Sequence, residues 1–467
     1  MAAQAGDTIY DEQRAPLTLG RLLKSGGAGS VFLIKERPLE VAKLYHSDKG
    51  GQVYERKVRA MLELRPDLPD VEDKGVRQVQ IAWPTGLLRD KARRFLGFTM
   101  PVLDVAATSD LEHVLQERQA REEGLPTALG PKMTLAANLA VMLAALHERQ
   151  HYVVDLKPLN VRFYRKSLFI AMLDCDGFSI QGKGERFLSE QVTTDYLAAE
   201  FQQRGVASGE EEAQDRFALA VMVFQLLNSG LHPYSGRPNG ATLPSDLPGR
   251  IAAHLYPYAQ GKGDARILPS PVSGHAAFPA ELRDMFDRAF ANQARRRPAA
   301  AEWSSLLLRY ARRSNGLLVK CVRDGSHQHF DGMPCAGCAR AELLASSARA
   351  AQTRARQTTP AGRKATRTTR RTRAATPNVA AALTAAAPAA PATQPVGLGM
   401  RVFFAVIGPV LLGWATTWGM TAYRDYLADK DPGWWLTLGL GLQSGLLLAA
   451  VLLFLVCVPV LILSKRP

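Results

Sequence analysis

Between Glu342 and Val402 the chain carries no acidic residue, while Arg349, Arg354, Arg356, Arg363, Lys364, Arg367, Arg370, Arg371, Arg373 and Arg401 give it ten positive charges. The remainder is mostly Ala, Thr, Pro and Gln, so ordering this stretch would cost backbone entropy that no buried apolar surface offsets. A disordered basic linker is therefore expected over residues 345–397. A chain of 467 residues broken in this way cannot be one globule, and the parts before and after the break must be read separately. These ten charges also account for most of the formal net charge of +15. No aromatic residue is interleaved among them to stack on bases, so no nucleic-acid partner is expected.

Beyond the linker the composition changes. Residues 402–423 and 434–463 contain no charged side chain, and each run is long enough to cross a hydrocarbon core that needs about 20 apolar residues. The connecting segment from Arg424 to Gly433 is short and mildly acidic, whereas the linker before it and Lys465-Arg466 after it are basic. By the positive-inside rule both termini face the cytoplasm, and Trp418, Tyr423, Trp434 and Trp435 lie near the outer interface. Two transmembrane helices in the inner (cytoplasmic) membrane are expected, with the linker charges against anionic lipid headgroups. The N-terminal segment has no apolar run that would act as a secretory signal, which places residues before the linker in the cytosol. Two spans without intramembrane charge offer no ion path.

The part before the linker carries the chemistry. Leu17 to Ile34 alternates like a strand, breaks at Gly26-Gly27-Ala28-Gly29, and resumes with Val, Phe and Ile. A hairpin tip without Cβ atoms lets backbone N–H groups approach phosphate oxygens, which makes Gly26, Gly27 and Gly29, with Val31 beside them, candidate nucleotide-binding residues. Many glycine tips serve turn geometry alone, so the tip needs company. Twelve residues after Val31, an apolar strand ends in Lys43. An amphipathic helix over Met133 to Glu148, with Leu135, Leu139, Met142, Leu143 and Leu146 on one side, leads to Asp155-Leu156-Lys157-Pro158-Leu159-Asn160. Fourteen residues after Asn160 an apolar strand ends in Asp174-Cys175-Asp176-Gly177-Phe178.

In residue type, spacing and order, these motifs resemble the bacterial eukaryotic-like Ser/Thr protein kinases, in a divergent branch, from Leu17 to Pro298. The resemblance implies that Lys43 pairs the ATP phosphates and is itself held by a helix glutamate, either Glu55, with Val58 and Leu62 on its face, or Glu63. It makes Met100 the gatekeeper and places Leu103 in the hinge against which ATP lies. Asp155 would accept the proton of the attacking Ser or Thr hydroxyl, Lys157 would offset charge on the transferred phosphoryl group, and Asn160 and Asp174 would hold Mg²⁺. Asp174 is preferred to Asp176 because it directly ends the strand. Asp176 then stands where the family has glycine, and Cys175 where it has phenylalanine. Glu200 and Arg297 would form a structural ion pair.

The sequence departs from the family in three further places. Lys24 replaces the first glycine of the loop, Ala199 replaces the proline before Glu200, and Val153-Val154 replaces the His-Arg before Asp155. The last change removes the arginine that docks a phosphorylated loop, so activation by loop phosphorylation is not expected. The charged groups that touch ATP, metal and hydroxyl are all kept, which favours an active kinase. The alternative is an inactive pseudokinase that recruits partners at the membrane through its nucleotide fold, and self-association stays open.

Past the kinase-like region, Cys321, His327, His329, Cys335 and Cys338 fall within one short segment. Three cysteines and one of the two histidines would complete a closed tetrahedral Zn²⁺ site, since Cys-x-x-Cys supplies two ligands on one turn. A disulfide is disfavoured in the cytosol.

The expected fold class is α+β: a bilobal protein-kinase-like domain over residues 1–314, with its small lobe over 15–102 and its large lobe over 103–314. A zinc knuckle (315–344), the linker (345–397) and a transmembrane hairpin (398–467) follow. When cells are fractionated, the full chain is expected with the membranes and a chain cut after residue 397 in the soluble fraction.

Overall fold

Alternating apolar residues at the start of the chain fold into a small barrel. In the computed structural model, strands β1 (Thr8–Tyr10), β2 (Pro16–Ser25), β3 (Gly29–Ile34), β4 (Glu40–Tyr45), β5 (Gly86–Arg89) and β6 (Phe95–Pro101) pair in the order β1-β2-β3-β4-β6-β5, and β5 closes onto β1. Ile9, Leu17, Leu19, Phe32, Ile34, Ala42, Leu44 and Leu88 fill its interior. The register sets Val31 opposite Lys43, and Lys43 opposite Phe98. Close approach of these strands needs glycine. A Cβ on Gly97 would lie 2.0 Å from the Lys43 carbonyl oxygen, and one on Gly29 2.3 Å from that of Leu44. Gly29 thus has a packing reason to be glycine, whereas Gly26 and Gly27 have open space around them.

Residues 3–357 are described, apart from 47–50, 74, 241 and 261–263; of residues 76 and 352–357 the backbone alone is described. The chain divides into two units, Met1–Ala365 and Thr366–Pro467, and the described residues belong to the first. The expected membrane hairpin and most of the linker lie outside the described residues.

Helix α1 (Gln52–Glu63) lies between β4 and β5 in the chain and packs Val58 against Leu87 and Phe98, with Met100 alongside. The rest of the kinase-like region is mainly helical. Helix α2 (Leu129–Glu148) buries Leu135, Leu139, Met142, Leu143 and Leu146, and packs against α3 (Glu211–Leu227) and α5 (Ala300–Ala311). Among the described residues α2 is the one helix long and apolar enough to cross a membrane, and its apolar side chains are spent on this core. It begins at Leu129, ahead of the expected Met133, because Pro131 fits a first turn whose N–H groups lack helical partners. Helix α3 is buried almost all round, and α4 (Ala280–Phe290) covers it through Phe286 and Phe290. A small antiparallel sheet of β7 (Thr108–Asp110), β8 (Val161–Tyr164) and β9 (Ile170–Met172), in the order β9-β8-β7, brings Asn160 and Asp174 to one end.

The cysteine-rich segment forms a hairpin of β10 (Leu318–Lys320) and β11 (Gln328–Phe330), followed by α6 (Ala336–Gln357). It docks on the helices: Phe330 is 3% exposed and meets Tyr310 and Phe278. The Gln328 Oε1 accepts the Gly130 N–H at 2.7 Å, at the start of α2. Helix α6 corrects the linker boundary, since residues 345–357 are helical. Ala, Arg, Leu and Gln dominate up to Gln357 and favour helix, and the Thr-Thr-Pro that follows does not.

Arg297 is 4% exposed and forms a fork on Glu200, with Nη1 and Nη2 at 2.6 and 2.9 Å from the two carboxylate oxygens. It also donates to the carbonyls of Ala213 and Ala289 and lies over the Phe217 ring, tying the loop around Glu200 to α3 and α4. Glu200→Ala leaves this guanidinium buried without its counter-charge, and is expected to lower unfolding stability by about 3 kcal/mol in a denaturant titration.

Candidate functional site

A cleft of about 280 Å³ opens between the glycine loop and the segment from Val153 to Phe178, lined by Gly26, Gly27, Gly29, Val31, Lys43, Asp155, Asn160 and Asp174. Met100 and Leu103 are not among its lining residues. Met100 is instead packed in the cluster of Val58, Leu87 and Phe98.

The far wall is held by Asp215, which is fully buried near the start of α3. Its carboxylate accepts the N–H groups of Val153 and Val154 at 2.8 and 2.7 Å, and His147 Nε2 lies 3.1 Å away. Val154 has φ 64°, a left-handed conformation that is costly for a β-branched residue. The two N–H bonds to a buried carboxylate maintain that strain, and the turn it makes presents Asp155 to the cleft. The Asp155 carboxylate accepts the Lys157 ammonium at 2.6 Å on one oxygen and the Thr193 hydroxyl at 2.6 Å on the other. Lys157 also donates to Thr193 Oγ1 at 2.8 Å, closing a three-membered network. Asn160 donates its Nδ2 to the Asp155 carbonyl at 3.0 Å, leaving its Oδ1 available to a cation.

Asp174 sits in the left-handed region at φ 53° and ψ 37°, which an Asp tolerates, and its side chain is 60% exposed. Asp176 is its opposite, with a side chain 6% exposed. Lys43 reaches both, with Nζ 2.5 Å from Asp176 and 3.3 Å from Asp174. Burial pushes the Lys43 ammonium pKa down, but attraction to Asp176 and then Asp174 outweighs this and leaves it raised. The helix glutamates do not reach Lys43, which corrects that expectation. Glu55 binds Arg89 at 2.5 Å and Arg59 at 3.1 Å, and Glu63 pairs with Lys183 at 3.1 Å. The physical reason is the buried face of α1, which runs through Lys57, Val58, Ala60 and Met61 and puts Glu55 at the rim. Cys175 is 1% exposed, and burial raises its thiol pKa well above the usual range, as befits a small buried hydrophobe.

Sequence reasoning assigned no role to Thr193, Asp215 or Arg186. The third ties the segment after Asp174 in place. It lies over the Tyr152 ring, donates to Ser179 Oγ at 3.2 Å and the Gln150 carbonyl at 3.1 Å, and faces the buried Glu211 at 3.6 Å. Unlike a docked phosphate, this anchorage needs no modification.

The cysteine cluster is a second site. Cys321 and Cys338 sulfurs are 3.5 Å apart, and His327 Nδ1 lies 3.6 Å from Cys338 and 3.9 Å from Cys335. The three thiol sulfurs all lie within 4.8 Å of one another. A tetrahedral zinc with Zn–S bonds of about 2.3 Å has ligand edges of about 3.8 Å, so this donor set could hold the ion. The His327 Nε2 faces Asp324 at 3.5 Å, the outer carboxylate that fixes a ligand imidazole. His329 Nδ1 donates to the Phe330 carbonyl at 2.9 Å, with no hydrogen bond to a thiol among the described contacts. Of the two histidines weighed, His327 is the one with a ring nitrogen beside two of the thiols.

This α+β architecture, with a lysine under a glycine loop opposite an Asp-Lys-Asn loop and an exposed aspartate, is kinase-like. Comparison with known proteins agrees at that level. Over 316 residues, 66% of the chain, it is 28% identical to Protein kinase YegI of Escherichia coli (strain K12). Over 306 residues, 64% of the chain, it is 28% identical to the protein of the same name from Escherichia coli O157:H7. Each match covers 46% of the relative, so the chain spans about half the length of the curated relatives it matches. No family model matches the chain.

Elemental analysis of the purified full chain is expected to find one zinc per chain. It should be lost in Cys335→Ser and kept in His329→Ala, and chelation should lower the melting temperature of the wild type.

Proposed function

We propose that the chain is an ATP-dependent protein kinase that phosphorylates Ser or Thr hydroxyls and is held at the cytoplasmic face of a membrane by residues 398–467. The observation that carries the reading is that Asp155 and Asn160 line one cleft with Lys43 and Asp174, while Lys157 is bonded to Asp155. The backbone of Gly26 and Gly27, unobstructed by side chains, would lie over the ATP phosphates, with the Lys43 ammonium beneath them. A protein hydroxyl would enter beside Asp155. Its oxygen would form a bond to the γ-phosphorus as the bond to the β–γ bridging oxygen breaks, releasing ADP, while the hydroxyl proton passes to the Asp155 carboxylate. Lys157, already 2.6 Å from Asp155, is placed to offset negative charge on the moving phosphoryl group. Thr193 fixes the rotamer of Asp155 from the other side.

Asp174 and Asn160 offer hard oxygen donors of the kind that suit Mg²⁺, which when bound neutralises phosphate charge. The exposure of Asp174, compared with the buried and fully bonded Asp176, supports the choice of Asp174 as the ligand. The knuckle is read as a structural zinc site, because three thiols and a histidine leave no open position for a substrate.

Asp155→Asn is expected to lower transfer of labelled phosphate from ATP to a generic basic protein substrate by about 10²- to 10⁴-fold. Phosphoamino-acid analysis of the product should return phosphoserine or phosphothreonine. Equal incorporation by wild type and variant would overturn the kinase reading in favour of a nucleotide-binding scaffold.

A further inference from the structure

We propose that Asp176, from the loop after β9, positions Lys43 for the phosphates in place of a glutamate on helix α1, so that this lysine is held without any movement of α1. The inference rests on the nucleotide-binding reading of the cleft.

The Asp176 carboxylate is fully engaged within the protein. One Asp176 oxygen accepts the Lys43 ammonium at 2.5 Å and the other accepts the Tyr45 hydroxyl at 3.0 Å. Both oxygens are thus committed to protein donors, and Lys43 and Tyr45 come from the same strand. A buried carboxylate bonded in this way fixes a cation; it is poorly placed to chelate a metal in the cleft. Asp174, two residues earlier, is mostly exposed. The intervening Cys175 is packed at 1% exposure and anchors the turn that carries both aspartates.

Helix α1 is built to keep its glutamate away from Lys43. Glu55 and Lys57 are two residues apart and so about 200° apart around the helix. The inward member is Lys57, 7% exposed, whose ammonium feels the attraction of Asp176 and Glu190 and the repulsion of Lys43. Burial lowers its pKa to about 8, with Asp176 opposing the shift. Turning Glu55 inward would expose Val58 and Met61, both 0% exposed, and would break the Arg89 and Arg59 pairs. A cation on the inward face of α1 is tolerable because Asp176 lies close to both lysines. Glycine at position 176 would leave Lys43 with only the exposed Asp174 and Lys57 with only Glu190 as counter-charge.

The test uses the full chain and a fluorescent ATP analogue, with binding measured with and without Mg²⁺, alongside KM for ATP and kcat. Asp176→Asn is expected to weaken nucleotide binding and raise KM at least tenfold, with the Mg²⁺ concentration for half-maximal rate unchanged and with partial recovery in Asp176→Glu. Asp174→Asn should instead shift the Mg²⁺ requirement. If Asp176→Asn does not fold, Lys57→Met removes the unbalanced ammonium, and the comparison becomes Asp176→Asn/Lys57→Met against Lys57→Met. Unchanged nucleotide affinity in the Asn variant overturns the proposal while leaving the cleft reading intact. A shift in Mg²⁺ requirement without a loss of affinity, or a larger KM increase in Glu55→Gln, overturns it too. Failure of the wild type to bind the analogue at all overturns both the proposal and the cleft reading.

Discussion

A single buried carboxylate, Asp215, underlies the geometry of the cleft. It has no solvent to fall back on, so its charge must be met by the N–H groups of Val153 and Val154 and by His147. Meeting that demand forces a valine into a left-handed turn, and the turn aims Asp155. The strain is local, and the bonds that sustain it come from a helix buried in the largest apolar cluster among the described residues. The position of one catalytic candidate is therefore referred back to the packing of Phe217, Phe224 and their neighbours.

Charge placement around Lys43 follows the same economy. The lysine, Tyr45 and Asp176 form a buried set, and Asp174, 3.3 Å from the same lysine, stays mostly exposed. The loop after Asp174 is then held down by Arg186, which uses a ring, a hydroxyl, a carbonyl and a buried glutamate together. Both arrangements replace groups that the sequence lacks: a helix glutamate aimed inward, and an arginine before Asp155. In each case the substitute comes from the segment that follows Asp174.

Much of the site was legible in the sequence because its parts are local. Asp155, Lys157 and Asn160 lie within one short loop, so residue type and spacing carried their relation directly. Lys43 and Asp176 are 133 residues apart, and their pairing depended on which face of α1 turned inward. Reading Val58 and Leu62 as the buried stripe put Glu55 on the same side, whereas the stripe actually centres on Val58 and Met61 and includes a lysine. Periodicity locates a helix well and its rotation poorly when apolar residues are few, and a buried Lys57 runs against every compositional rule. The choice between His327 and His329 was likewise invisible, because alternate residues of a hairpin differ only in the face they take. The early start of α2 could be read from Pro131, but the Gln328 contact at Gly130 could not. Helix α6 was missed because an Ala- and Arg-rich run has the composition of a linker and the propensity of a helix.

The bond between Gln328 and Gly130 joins residues 198 apart in the chain. Helix α2, which leads directly into the turn that presents Asp155, thus begins on a partner that leaves the ribosome long after it. During synthesis the helical core must wait with that first turn unfinished until the β10–β11 hairpin has emerged, a long loop closure of the kind that slows folding. The cysteine segment, last in order among the described strands, is accordingly the piece that completes the lobe in time as well as in space.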